Sequence, residues 1–298
     1  KNKMMRTASG LLVATLLTTS MISGTFAKYT TQDEANDSAR VAKWGVTALA
    51  TGSLFGTDYD SVSVTQNSNA ITANVSTNVS SQYTGSDNKN LVAPGTKSDK
   101  GMTFKISGTP EVENTVTVEK KDTFQDIYLK GNATYATLVK TSDITKDNFD
   151  SQGVLFTKSG TTFTYASDYT TDQLYKVKDV VTLTDDYYPV TYTVTKDNND
   201  TNTYSGAEGM FNAIDTYLKG NNKANVKIDK SVTITWEWKY GNGKDGEDTI
   251  LGNLAANAND QTVVKYDASA HTATALEVGT DYNLNTAFGV KVTVTQVD

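Results

Sequence analysis

The sequence contains no cysteine, one histidine and three prolines among its 298 residues. The absence of cysteine excludes disulfides, thiolate nucleophiles and cysteine-ligated metal sites. One histidine, His271, cannot form a zinc site that needs two, and no Gly-x-Ser-x-Gly motif accompanies it as a catalytic serine. Three prolines exclude a proline-rich linker. We therefore predict that the chain is not an enzyme and that it needs neither a cofactor nor a metal.

Carboxylates are the remaining candidates for catalysis. They cluster at Asp58 with Asp60, at Asp185 with Asp186, and at Asp245 with Glu247 and Asp248. Acidic turns of this kind are usually solvated, so a hydrolase with paired carboxylates is the third-ranked alternative. The oxygen-rich segment 197–201 leaves calcium open as a further alternative, although it lacks the glycine and terminal glutamate of a helix-loop-helix calcium site.

The first 27 residues have the layout of a secretory signal. Lys1, Lys3 and Arg6 form a basic region, a weakly apolar run covers residues 11–22, and small residues lead to Ala27. We predict cleavage between Ala27 and Lys28 and a secreted protein of the extracellular matrix or cell surface. The apolar run is shorter than the roughly 20 residues that span a bilayer. A retained hydrophobic helix, as in a pilin, is the alternative.

The charge is acidic, with a formal net charge of −7. Without the first 27 residues, 24 cations face 34 carboxylates, which gives a net charge of −10. Nucleic acid is therefore not an expected partner, because affinity for phosphates needs a clustered positive surface. About 270 residues suffice for a large core without covalent cross-links.

Alternation of apolar and polar residues is the dominant pattern. Val232, Ile234, Trp236 and Trp238 share one face of a predicted strand, and the threonines and glutamate between them share the other. The same alternation recurs around Val190, around Val292 and nearer the start. Many short strands buried on one side predict an all-β fold of antiparallel sheets packed face to face. Trp236 and Trp238 are predicted core aromatics rather than a sugar-stacking platform.

Two short accessory helices interrupt the strands, at about 205–219 and 248–257. Ser205 and Glu208 form a predicted capping box for the first, Gly220 its stop, and Asp248 the predicted cap of the second. Residues 39–298 are predicted to form one domain, with an insertion or extra strands at about 120–186. A separate second domain in that segment is the alternative.

Six short motifs carry a resemblance to a known family. They are Ser-Gly-Thr-Phe-Ala-Lys-Tyr-Thr-Thr at 23–31, Ser-Ala-Arg-Val-Ala-Lys-Trp-Gly-Val at 38–46, Leu-Val-Ala-Pro-Gly at 91–95, Val-Thr-Ile-Thr-Trp-Glu-Trp at 232–238, Asp-Thr-Ile-Leu-Gly at 248–252 and the last seven residues. These motifs resemble those of the TasA/camelysin family of Gram-positive surface proteins. Together they cover about a third of the chain. Trp44, in the second motif, is a third expected core aromatic.

The resemblance implies a jelly-roll sandwich, processing by a signal peptidase of the SipW kind, and self-assembly into extracellular fibres of a biofilm matrix. The expected partners are further copies of the chain, the peptidase and an accessory anchoring protein. In fibre-forming members the new N-terminal segment of one subunit adds as a strand to the next, which satisfies an open sheet edge. The leader at 28–38 is the matching segment, with Lys28, Tyr29, Thr30, Thr31 and Gln32 as its self-assembly residues.

The leader departs from the pattern of an inserted strand. Asp33, Glu34 and Asp37 are acidic and Tyr29 is its one obvious apolar anchor, so a disordered or surface-lying leader before a strand from Ala39 is an alternative. Residues 40–49 are a second donor candidate, although an ordinary first core strand is the favoured interpretation there. A monomeric adhesin or glycan-binding module on the same sandwich is the alternative function.

Overall fold

A computed structural model describes residues 45–52, 54–55, 61–67, 70–76, 83–84, 90–98, 101–121, 124–256 and 261–297. Its strands are β1 (Val46–Gly52), β2 (Ser61–Asn67), β3 (Ala70–Ser76), β4 (Tyr83–Thr84), β5 (Asn90–Leu91), β6 (Met102–Gly108), β7 (Asn114–Lys120), β8 (Tyr128–Leu129), β9 (Ala133–Thr141), β10 (Leu155–Ser159), β11 (Thr162–Tyr165), β12 (Leu174–Leu183), β13 (Val190–Lys196), β14 (Thr201–Ser205), β15 (Gly220–Asn222), β16 (Ile228–Trp238), β17 (Gln261–Asp267), β18 (Thr272–Ala275), β19 (Tyr282–Asn283) and β20 (Gly289–Gln296). The helices are α1 (Ala207–Leu218), α2 (Asp245–Ala256) and a short 3-10 helix at Phe149–Ser151.

The strands form two five-stranded sheets and one six-stranded sheet, with two small two-stranded pairs. The first sheet has the order β1-β6-β16-β13-β14 and the second β15-β7-β20-β3-β2. Every paired strand in both sheets is antiparallel. The predicted all-β class of antiparallel, sandwich-like sheets is therefore confirmed.

One face of each strand supplies the core between the first two sheets. Along β16, Val232, Ile234, Trp236 and Trp238 are buried and the residues between them are half-buried, as the alternation predicts. Along β20, Val290, Val292 and Val294 are buried in the same way. One continuous cluster of buried side chains joins the two faces, so burial of apolar surface is the main force that holds the sheets together.

Threonine dominates the outer face of the first sheet. One row crosses all five strands in register, in the order Thr51, Thr103, Thr233, Thr195 and Thr201. The hydroxyls of Thr103 and Thr233 lie 2.8 Å apart, and those of Thr195 and Thr201 lie 3.2 Å apart. Cross-strand pairs of this kind stabilise a sheet on the side that faces water.

The six-stranded sheet has the order β11-β10-β12-β9-β17-β18. Four of its strands come from residues 133–183, inside the segment predicted as an insertion, and two come from residues 261–275. The sheet curls until its two edge strands, β11 and β18, lie next to each other. A second cluster, with Phe156 and Val264 fully buried, fills the concave side.

Both predicted helices are present, but their caps differ from the prediction. Ser205 is the last residue of β14, and Gly206 is the N-cap residue of α1 without a side-chain cap, so the predicted capping box is wrong. Asp126 instead accepts a hydrogen bond from the N–H of Ala207. The helix ends at Leu218, since Lys219 already has an extended backbone (ψ 143°) and Gly220 begins β15.

The second helix begins three residues earlier than predicted. Asp248 lies in the first turn of α2 rather than at its cap, because Asp245 is already helical. Its side chain points toward the sheet, where Tyr187 and Trp238 donate hydrogen bonds to it. Asp245, Glu247 and Asp248 place three acidic side chains in this first turn, where the helix dipole favours negative charge.

Candidate functional site: the open edge of β14

The outer edge of β14 is the best candidate for an assembly site. On one side β14 pairs with β13, from Thr191 opposite Ser205 to Thr195 opposite Thr201. On the other side no strand pairs with it within the described part of the chain. The N–H and C=O groups of an edge strand are a template for another strand.

One face of β14 is exposed, and the other is partly covered, because Tyr204 packs against the main core. Thr201, Asn202, Thr203 and Ser205 are exposed, and Tyr204 is half-buried. A strand that adds beside the exposed Thr201, Thr203 and Ser205 keeps the same face in water, so polar side chains are tolerated on that face. Main-chain hydrogen bonds supply most of the binding of such a strand.

A buried carboxyl fixes the junction between β14 and α1. Gly206 links the two elements with a φ of +79°, and its N–H donates to the carbonyl of Val190 at 3.1 Å. The Asp126 carboxyl lies against this glycine and accepts from Ala207, the first residue of the helix. Burial raises the pKa of Asp126 to about 7, against the lowering effect of the Ala207 and Ile127 N–H groups.

No local sequence pattern pointed to Asp126 as a capping residue. It follows a polar stretch and has no capping motif next to it. Its partner Ala207 is 81 residues away in the chain. Only the packing of α1 on the sandwich brings the two together, so a pattern confined to neighbouring residues could not have identified it.

The opposite edge of the same sheet is β1. Val46, Ala48 and Ala50 are buried on its inner face, whereas Leu49 on the outer face is 49% exposed. β1 pairs with β6 of its own chain from Val46 to Gly52. The described part of the second donor candidate, residues 45–49, is thus an ordinary strand of the first sheet.

Several predicted site residues lie outside the described residues. These are the cleavage site at Ala27 and Lys28, the leader residues Tyr29, Thr30, Thr31 and Gln32, the aromatic Trp44, and the carboxylates Asp58 and Asp60. The two described tryptophans, Trp236 and Trp238, are 3% and 5% exposed. The Trp236 ring packs against Phe55 at 5.3 Å between centroids, and its Nε1 donates to the carbonyl of Leu54.

Two of the carboxylate clusters meet at one cleft of about 330 Å³. Its lining includes Asp185, Asp186 and Glu247, together with Tyr187, Tyr188, Asn242 and Lys244. Two ion pairs lie here: Nζ of Lys130 is 2.8 Å from Oδ2 of Asp186, and Nζ of Lys244 is 2.9 Å from Oε1 of Glu247. The cleft therefore presents ion pairs, hydroxyls and an amide, which suits hydrogen bonding to a polar ligand.

The remaining candidates have local roles. His271 occupies a left-handed backbone conformation (φ +48°) and its ring lies 4.5 Å from that of Tyr165. In the oxygen-rich segment 197–201, Oδ2 of Asp200 accepts a hydrogen bond from Nζ of Lys196 at 2.5 Å, and the backbone N–H of Asp200 donates to Oδ1 of Asn198. Among the described residues, no group of three or more histidine, aspartate or glutamate side chains is placed to hold a metal ion.

Comparison with known proteins yields no match. No family model, no curated protein and no solved structure is similar to this chain at a significant level. In the part of the chain that the structure describes, neither helix is long and apolar enough to cross a membrane.

Proposed function

We propose that the chain is a secreted structural subunit of the TasA/camelysin kind, which assembles with its own copies into extracellular fibres. The observation that carries the proposal is the open edge of β14, which has no strand partner on its outer side among the described residues and whose Thr201, Thr203 and Ser205 are exposed. A signal peptidase of the SipW kind would release Lys28, and the leader at 28–38 would add beside β14 of the next subunit. Processing would then be the step that allows assembly.

The polar leader suits this edge better than it suits an insertion into the core. A donor strand buried between two sheets needs alternating apolar side chains, which the leader lacks. Beside β14, the exposed Thr201, Thr203 and Ser205 flank any added strand on one face. Thr–Thr and Thr–Ser contacts across such a pair contribute roughly 0.2–1 kcal/mol each. Acidic side chains of the leader would stay in water.

Electron microscopy of the mature chain from Lys28 tests the proposal. We expect filaments at high protein concentration, and a folded monomer when residues 28–37 are deleted. The matched control replaces the same ten residues with a Gly/Ser linker of equal length, which keeps the chain length but removes the side chains. A mature protein that stays monomeric at high concentration, or a truncated protein that still forms filaments, contradicts the proposal.

A monomeric glycan-binding module is the second candidate, supported by the cleft at Asp185, Asp186 and Glu247. Tyr188 at its wall is half-buried and lies 6.2 Å from the ring of Tyr128, so the cleft combines aromatic surface with polar groups. Titration with soluble wall-polysaccharide fragments tests this candidate. Binding that is lost in Tyr188→Ala and kept in Tyr240→Ala, a change at an exposed tyrosine, supports it.

A further inference from the structure

Asp126 is buried at the point where the chain passes from β14 into α1. Its Oδ2 accepts from the N–H of Ala207, whereas its Oδ1 is inaccessible to solvent and has no hydrogen-bond partner among the described residues. A desolvated carboxylate with one unpartnered oxygen is unfavourable, because burial removes the favourable hydration that a charged group has in water. The neutral, protonated carboxyl avoids most of that cost.

The groups around Asp126 do not compete with it for protons. Tyr188 and Tyr192 face it from β13 and the preceding loop, and burial raises the pKa of both phenols above the usual value. Asn283 donates to the backbone carbonyl of Asp126 and Thr286 to that of Gln125, and both side chains are uncharged. Glu208 in the first turn of α1 is mostly exposed and pairs with Lys120 of β7. A proton that enters this site near neutral pH therefore binds Asp126.

Gly206 is a flexible link between β14 and α1, and we call it the joint, since rotation there would move the start of the helix away from Asp126. A Cβ atom at this position would lie 2.9 Å from Oδ2 of Asp126 and 3.0 Å from the Tyr188 ring. The carboxyl is thus in direct contact with the one residue that links β14 to the helix. Rotation at Gly206 would lift the N-terminus of α1 and admit water to an ionised carboxylate.

We propose that Asp126 is a proton-dependent latch for α1. When it is protonated the helix N-terminus stays docked, and when it is ionised the joint at Gly206 opens more readily. The proposal concerns contacts within one subunit, so it does not depend on fibre formation. It adds a conformational response to pH at the residues that follow the open edge of β14.

The direction of the effect follows from proton linkage. The folded-state pKa of Asp126, about 7, is above the ordinary value of 3.8. Between these two values the folded chain binds more protons than the unfolded chain, so stability is greatest at the acid end and falls as the pH rises through 7. The unfolding equilibrium constant is expected to increase on the order of 30-fold between about pH 5.5 and pH 8.5.

Urea unfolding of the full chain over this pH range tests the latch, with Asp126→Asn as the variant. Asparagine keeps an acceptor for Ala207 and cannot ionise, so the constant should change less than about 3-fold. His271→Asn is the control, since it removes the one histidine and asparagine tolerates the left-handed backbone there. The proposal is overturned if the unfolding equilibrium constant of the wild type changes less than about 3-fold over this pH range. It is also overturned if Asp126→Asn shows the full wild-type change, or if His271→Asn abolishes that change.

Two measurements on the wild-type chain keep the test independent of how the variant folds. Carboxyl NMR should give Asp126 a pKa well above that of an exposed aspartate, and a value below about 5 overturns the latch. Hydrogen exchange, corrected for its intrinsic pH dependence, should show the amides at 210–213, the first that bond within α1, losing protection as the pH rises. The amides of α2 serve as the internal reference, and equal loss in both helices also overturns it.

Discussion

The hydroxyl of Tyr187 donates a hydrogen bond of 2.6 Å to Oδ1 of Asp248, the same oxygen that accepts from Nε1 of Trp238 at 3.0 Å. Tyr187 precedes β13, Trp238 ends β16 and Asp248 is in the first turn of α2. Two donors on a partly buried carboxylate therefore connect three elements. Burial raises the pKa of Asp248, and the two donors oppose that rise.

Removal of one donor should weaken this connection measurably. Tyr187→Phe loses a hydrogen bond to a charged acceptor, and we expect a loss of about 1.5 kcal/mol in the free energy of unfolding. Urea denaturation at neutral pH measures it. Tyr240→Phe is the matched control, because that side chain is 82% exposed. Equal effects of the two changes would show that the Tyr187 hydroxyl contributes nothing specific.

The joint at Gly206 should not accept a side chain. Gly206→Ala places a methyl group against Asp126 and Tyr188 in addition to straining the backbone, and we expect a loss of about 2–4 kcal/mol. Gly279→Ala is the control, because its φ of +82° is nearly the same and no atom lies within 4 Å of the added Cβ. The control should cost about 1 kcal/mol. Thermal unfolding of both variants measures the difference, and similar losses contradict the close packing.

Asp186, at the cleft, should make the stability of the fold depend on pH in the acid range. The hydrogen bonds from Lys130 and from the Gly131 N–H hold the pKa of Asp186 below its usual range. The folded chain therefore releases that proton more readily than the unfolded chain, and the associated stability is present above pH 4 and lost as the pH falls through the folded pKa. We expect Asp186→Asn to narrow the difference in urea midpoint between about pH 5 and pH 2.5. A difference identical to that of the wild type contradicts this assignment.

The alternation of apolar and polar residues predicted the all-β class, because a strand that is buried on one side needs an apolar residue at every second position. The buried faces of β16 and β20 match that alternation residue by residue. Helix positions were also predictable from the spacing of Met210, Ile214 and Leu218, which are all buried. These features depend on contacts between each strand or helix and a single core.

Features that depend on distant partners could not be predicted in this way. Ser205 satisfied the local rule for a cap, yet Asp126 supplies the acceptor because the packing of α1 brings it there. Asp185, Asp186 and Glu247 were recognised as separate acidic turns, but their arrangement around one cleft follows from the loop before β13 and the start of α2. The open edge of β14 is likewise a property of sheet order, since its Thr-rich sequence would also suit a central strand.

Mixed-disulfide formation between two single-cysteine proteins tests strand addition at β14 most directly, and the absence of natural cysteine makes the background clean. One mature protein carries Thr30→Cys, and its partner carries Thr201→Cys, Thr203→Cys or Ser205→Cys, since paired strands bring Cβ atoms within about 5 Å. Thr272→Cys, on the edge of the six-stranded sheet, is the matched control. The account predicts a mixed disulfide with at least one β14 position and none with Thr272→Cys. Filaments that form without any β14 cross-link would contradict it.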